Sequence, residues 1–90
     1  MFTIDTQEIH LTITTPDKKL FEGRVHKVIL PGSAGSFQVL KDHAPLVSIL
    51  QKGTILYGSE DQEHALTIQD GLVEVLNNNI TVLVAFATQH

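Results

Sequence analysis

Ninety residues with 42% hydrophobic side chains and no cysteine make a single domain, residues 1–90. Its modest core must close by packing alone, without disulfides or thiolate metal sites. Six Lys and Arg against ten Asp and Glu leave a net charge of −4, so there is no basic footprint for nucleic-acid phosphates. The strongest apolar run, ITVLVAFA, falls far short of the roughly 20 residues of a spanning helix. MFTIDTQEIH lacks the basic head and apolar run of a signal peptide. A soluble chain without membrane insertion of its own is expected.

The dominant period along the chain is two. Ile9, Leu11 and Ile13 alternate with His10, Thr12 and Thr14, the pattern of a half-buried strand. TPDKK then supplies a turn, with Pro16 fixing φ and Asp17 suited to bonding nearby amides. Further strands are predicted over KLFEG, RVHKVIL, SFQVL, LVSIL, TILYG, HALTIQ, GLVEVL and ITVLVAF. Between them lie Pro31-Gly32, Gly53, GSEDQE, Asp70-Gly71 and the asparagines 77–79. Glycine and asparagine accept the positive φ that tight hairpins demand. No stretch carries a helical period. An all-β fold is expected, a flattened sandwich or barrel of two antiparallel sheets built from about eight to ten short strands.

Two strands are apolar on both faces. In ITVLVAF, Ile80, Val82, Val84 and Phe86 share one face, yet Leu83 and Ala85 on the other are also apolar. In GLVEVL, Val73 and Val75 oppose Leu72 and Leu76, and only Glu74 is polar. A small antiparallel sandwich usually keeps one face of each sheet wet. Such strands either run beneath a loop or present an outer face for a partner to cover.

Chemistry-bearing patterns are weak. GSAGS lacks the Gly-Lys-Ser/Thr ending of a phosphate loop and is followed by Phe37 in strand-like sequence, so its glycines serve a tight loop. Asp42 and His43 are adjacent, and neighbours on an extended chain point apart, a poor geometry for a carboxylate to orient an imidazole. Ser33, Ser36 and Ser48 have no nucleophile elbow around them. Glu60, Asp61 and Glu63 lie in a solvated loop, where charge favours solubility and edge protection. The histidines at 10, 26, 43, 64 and 90 share no metal-ligand spacing. No catalytic, cofactor or metal residue is assigned.

LPGSAGSFQVLKDHAPLVSIL, residues 30–50, resembles the LPG-x-x-G-x-F-x-VL-x-x-HAPL segment of the epsilon subunits of F-type ATP synthases. TPDKKLFEG resembles that family's first hairpin, and GLVEVLNNNITVLVAFA its GG-F-VEV-x-x-N-x-VTVLA ending. The three pieces run in the right order from Ile9 to about Ala87. Asp70 stands where the family has the first glycine of a Gly-Gly pair. The sequence stops at His90, so the resemblance covers the sandwich domain and not the C-terminal helical hairpin of longer relatives.

The resemblance implies a non-catalytic central-stalk subunit that binds the gamma subunit and rests on the membrane c-ring. Such a part couples proton translocation to ATP synthesis. It implies a peripheral location on the cytoplasmic side of a bacterial inner membrane, and no ATP binding in the part present. Ser33, Ala34, Gly35 and Ser36 would form the loop facing the c-ring. Relatives often carry an acidic residue at the position of Ser36. His43, Ala44, Pro45 and Ser48 would lean toward gamma, together with the outer-face Leu83 and Ala85. The rival readings are a stand-alone β-sandwich that binds proteins or ligands, and a small enzyme, which the missing constellation disfavours.

Overall fold

A computed structural model describes residues 8–85 and the backbone of residues 87–89. The expected Phe86 and the terminal His90 lie outside the described residues. Ten strands occur among them, and no helix. In chain order they are β1 (Ile9–Thr14), β2 (Lys19–Val25), β3 (Lys27–Gly32), β4 (Gly35–Val39) and β5 (Leu46–Leu50). They continue with β6 (Gly53–Gly58), β7 (Glu63–Ile68), β8 (Gly71–Leu76), β9 (Asn79–Leu83) and β10 (Ala87–Gln89). The all-β expectation holds.

The strands form one hydrogen-bonded path, β10-β7-β6-β3-β5-β8-β9-β1-β2, with β4 attached to β3. That path curls on itself into two layers. Its closure is visible in the ring of Phe21 on β2, which lies 4.7 Å from the ring of Tyr57 on β6. The thinnest dimension is 21 Å, about the depth of two sheets packed ~10 Å apart with their outer side chains.

The pairing is antiparallel throughout, except that β1 runs parallel to β9, from His10↔Asn79 to Thr14↔Leu83. A parallel pair requires a long crossover, and here nearly the whole domain provides it.

Alternation builds the core. Ile9, Leu11 and Ile13 of β1, Val73 and Val75 of β8, and Ile80 and Val82 of β9 are all buried. No polar or charged residue is buried among the described residues.

Two predicted strands differ from the structure. RVHKVIL is not one strand: β2 ends at Val25, the chain bends at His26, and β3 begins at Lys27. The reason is packing. Val25, Val28 and Leu30 are all interior, and an unbroken strand with Val25 inside would point Val28 and Leu30 outward. The bend resets the phase and is held by His26 N–H donating to the Gly58 carbonyl at 2.8 Å.

ITVLVAF is strand only as far as Leu83 among the described residues. The β9 strand ends at Leu83, where Val84 N–H makes the last bond to β1 by donating to the Thr14 carbonyl at 2.9 Å.

The asparagine turn behaves as the sequence indicates. Asn77 and Asn78 take φ of 50° and 62° between β8 and β9, the left-handed pair a two-residue hairpin requires.

Candidate partner-binding surface

The outer face of the β5-β8-β9-β1 sheet carries a row set by register alone. Ile49 pairs with Leu72, Leu72 with Leu83, and Leu83 with Thr14. Residues facing one another across a ladder share a face, so three large aliphatic side chains stand side by side. They are well exposed: 64% at Ile49, 38% at Leu72 and 49% at Leu83. Val47 and Leu76 extend the apolar area on the same face at 63% and 48%. The two-sided apolar character of β8 and β9 is therefore real, and no loop covers it among the described residues.

Beside this row lies an open hollow of about 500 Å³, lined by Thr14, Pro16, Ile49, Leu72, Leu83 and Ala85 among others. Asp70 also borders it, and Glu74 stands in the adjoining row between Val47 and Thr81. Both of these charged residues are acidic.

The expected site residues divide between places. Leu83 and Ala85 are exposed at the hollow. Ser48 is half-buried and pairs with the interior Val73, so strand alternation sets it on the opposite face from Ile49 and Leu83.

Ser33 and Ala34 form the turn between β3 and β4, Gly35 and Ser36 open β4, and all four are exposed. Ser33 N–H donates to the Ile49 carbonyl at 2.9 Å, which ties that turn to the end of the apolar row. Gly32 allows the turn to close: a Cβ there would come within 2.7 Å of the Gly35 carbonyl and 2.8 Å of the Phe37 ring.

His43, Ala44 and Pro45 lie in the connection between β4 and β5. Ala44 and Pro45 are exposed and His43 is half-buried. The next residue, Leu46, pairs with Val75, which sets Pro45 near Leu76.

Asp42 and His43 do not act on each other as a carboxylate–imidazole dyad. The Asp42 carboxylate accepts from Asn78 Nδ2 and from Lys41 Nζ, each at 3.1 Å. His43 Nδ1 donates to the Ala44 carbonyl at 2.7 Å. The bond from Asn78, followed by the bond and charge of Lys41, holds the Asp42 carboxyl below the usual aspartate range. Far from this region, the hydrogen bond and charge of Lys19, with a smaller contribution from His10, lower Glu22. Burial raises Tyr57.

Among the described residues no group of three or more His, Asp or Glu is placed to hold a metal ion. No helix there is long and apolar enough to cross a membrane.

Val47 and Ile49 carry much of the exposed apolar surface and are not among the expected site residues. The signal was present in LVSIL, where Leu46 and Leu50 alternate with Val47 and Ile49. That segment is apolar in both phases, as β8 and β9 are.

The sequence profile described as ATP synthase, Delta/Epsilon chain, beta-sandwich domain matches residues 8–90. The ATP synthase epsilon chain of Campylobacter fetus is 43% identical over 77 residues, covering 84% of this chain and 60% of that protein. The ATP synthase epsilon chain of Maricaulis maris is 34% identical over 76 residues, covering 84% of this chain and 57% of that protein. The chain thus spans roughly three-fifths of the length of these curated relatives.

A chain in the Euglena gracilis mitochondrial ATP synthase structure of OSCP, F1 and c-ring superposes with a TM-score of 0.86 at 21% identity. It covers 92% of this chain and 54% of that one. At that identity the likeness is one of fold. The profile match over nearly the whole chain, with relatives above 30% identity in the same segment, places this protein in the beta-sandwich domain family of ATP synthase delta and epsilon chains.

Proposed function

We propose that this chain is the sandwich part of a non-catalytic central-stalk subunit of an F-type ATP synthase. In that role it links the gamma subunit to the membrane c-ring and couples proton translocation to ATP synthesis. The carrying observation is the exposed aliphatic row Ile49–Leu72–Leu83 on an otherwise well-packed sheet. Contiguous apolar surface of this kind on a small domain marks a protein contact.

Family membership supports this choice of partner. Relatives in this segment are named ATP synthase epsilon chains, and a superposable Tetrahymena thermophila chain comes from a structure described as central stalk/c-ring. The outer face of β5, β8 and β9 would meet gamma, together with the His43–Pro45 turn. The exposed Ser33–Ser36 turn would meet the c-ring, by shape and backbone hydrogen bonds, since its side chains are small and uncharged. The named relatives are bacterial, which fits a peripheral position on the cytoplasmic side of an inner membrane.

Co-purification of the tagged chain with the gamma subunit of the same synthase tests the reading. The wild type should retain gamma, and Leu83→Asp should lose it because a carboxylate would be buried without a partner. If a folded Leu83→Asp protein holds gamma as tightly as the wild type, the assigned face is wrong.

A further inference from the structure

Two non-glycine residues in the left-handed region meet across the domain. Asp42, with φ of 66°, lies between β4 and β5, and Asn78, with φ of 62°, lies in the β8–β9 turn. Their contact is reciprocal. Asp42 N–H donates to Asn78 Oδ1 at 2.6 Å, and Asn78 Nδ2 donates back to Asp42 Oδ1 at 3.1 Å. Lys41 Nζ holds the remaining carboxylate oxygen, Oδ2, at 3.1 Å.

The hairpin itself does not require this contact. Positive φ at both central positions makes a two-residue turn, and glycine serves as well as asparagine. The Asn78 side chain is therefore free to do something besides closing β8 onto β9. What it does is fasten a segment 36 residues away.

That segment leads directly into the His43–Pro45 turn. Between the two fastened turns lies a hollow of about 240 Å³, bounded by Asp42, His43, Ala44, Pro45, Asn77 and Asn78. It borders the exposed outer face on which Leu76 stands.

We propose that the Asp42–Asn78 clasp is a positioning device for the partner-binding surface. It fixes the His43–Pro45 turn against the β8–β9 hairpin, so that a protein partner meets turn and apolar face as one preformed surface. The inference rests on the reading of that face as the gamma contact. Without the clasp, only a fraction of molecules hold the turn in the competent place, and the apparent dissociation constant rises by the reciprocal of that fraction.

The chemistry of the two residues orders the variants. Asp42→Asn keeps an acceptor at Oδ1 and the backbone donor, so the clasp survives. Asn78→Gly keeps the turn conformation and removes both clasp bonds. Asn78→Asp removes the donor and sets a second carboxylate against the first.

The test measures binding of each variant to the immobilised gamma subunit, together with amide hydrogen exchange of the free chain. Asp42→Asn should bind like the wild type. Asn78→Gly should bind about tenfold more weakly, mainly through slower association, if about a tenth of the molecules remain competent. Amides of residues 43, 44 and 46 should exchange faster, with those of β8 and β9 unchanged. A merely structural role for Asn78 would instead speed exchange across β8 and β9.

Should Asn78→Gly fail to fold, Asn78→Asp gives a partial form of the comparison: its carboxylate still accepts from Asp42 N–H, while repulsion replaces the bond donated by Nδ2, so the loss should be smaller but in the same direction. The inference is overturned if residues 43, 44 and 46 stay protected in the folded variant, or if they loosen while gamma affinity is unchanged. Leu83→Asp in the same assay separates the two readings. Wild-type binding by that variant removes the face assignment itself, whereas its loss beside unimpaired Asn78→Gly removes only the clasp.

Discussion

Val25 and Val28 both face the interior because the chain bends at His26 between them. The bend carries the chain from one layer of the sandwich to the other and sets the phase of all of β3. Leu30 is consequently interior and fully buried, while Ile29 lies on the other face and is half-buried. Leu30→Ala should cost about 2–5 kcal/mol, the usual range for a buried leucine. Ile29→Ala should cost clearly less. Urea unfolding of the two variants measures the difference, and equal losses would mean that the phase is not reset at His26.

The same contrast applies to the proposed gamma face. Val82 is buried and its neighbour Leu83 is half exposed. Leu83→Asp should leave a folded domain, with a loss under about 1 kcal/mol, the span of strand propensities. Val82→Asp should abolish stable folding, because an ionised carboxylate without a partner would enter the core. Circular dichroism and thermal melts distinguish the two. Unfolding of Leu83→Asp would mean that the row contributes to the core rather than to a contact surface.

Two glycines with positive φ separate backbone strain from crowding. Gly58, at φ 146°, has no room: a Cβ would lie 2.1 Å from the Gln62 carbonyl oxygen. Gly35, at φ 134°, has open space around the same position. Strain alone should cost Gly35→Ala about 1–3 kcal/mol. Gly58→Ala should cost more, since the β6–β7 connection must also move. Chemical denaturation of both variants gives the order, and the reverse order would contradict the packing at Gly58.

Acid should weaken the domain through Glu22 and Asp42, whose carboxyls are lowered in the folded chain. A carboxyl with a depressed folded pKa contributes stability above its unfolded value, and that contribution is lost as pH falls through the folded value. For Glu22, held chiefly by Lys19, the contribution is complete above the ordinary value of 4.5. For Asp42, held chiefly by Asn78, it is complete above 3.8. Both side chains are exposed, so the effects are small and screened by salt. The melting temperature of Glu22→Gln should fall below that of the wild type at pH 5. The gap should close on further acidification. A gap that persists unchanged to pH 2 would exclude the ion pair as its source.

Alternation by itself determined the strands, because burial on one face writes a period of two into the sequence wherever a strand has one dry side. Ile9, Leu11 and Ile13 were legible in this way, as were Val73, Val75, Ile80 and Val82. So was the asparagine turn, whose residues suit positive φ whatever surrounds them. The two-sided apolar pattern at Leu72, Leu76 and Leu83 was also legible, and the structure leaves that outer face exposed.

Only the tertiary structure decided which residues meet across strands, since register is a relation between distant segments and leaves no local period. Ile49, Leu72 and Leu83 become one row through two ladders, while Ser48, one residue away, turns toward Val73. The parallel union of β1 with β9, the bend at His26 and the fastening of Asp42 to Asn78 are likewise products of chain closure. Each depends on hydrogen bonds between residues far apart in sequence, whose energies act only once the sheet has curled.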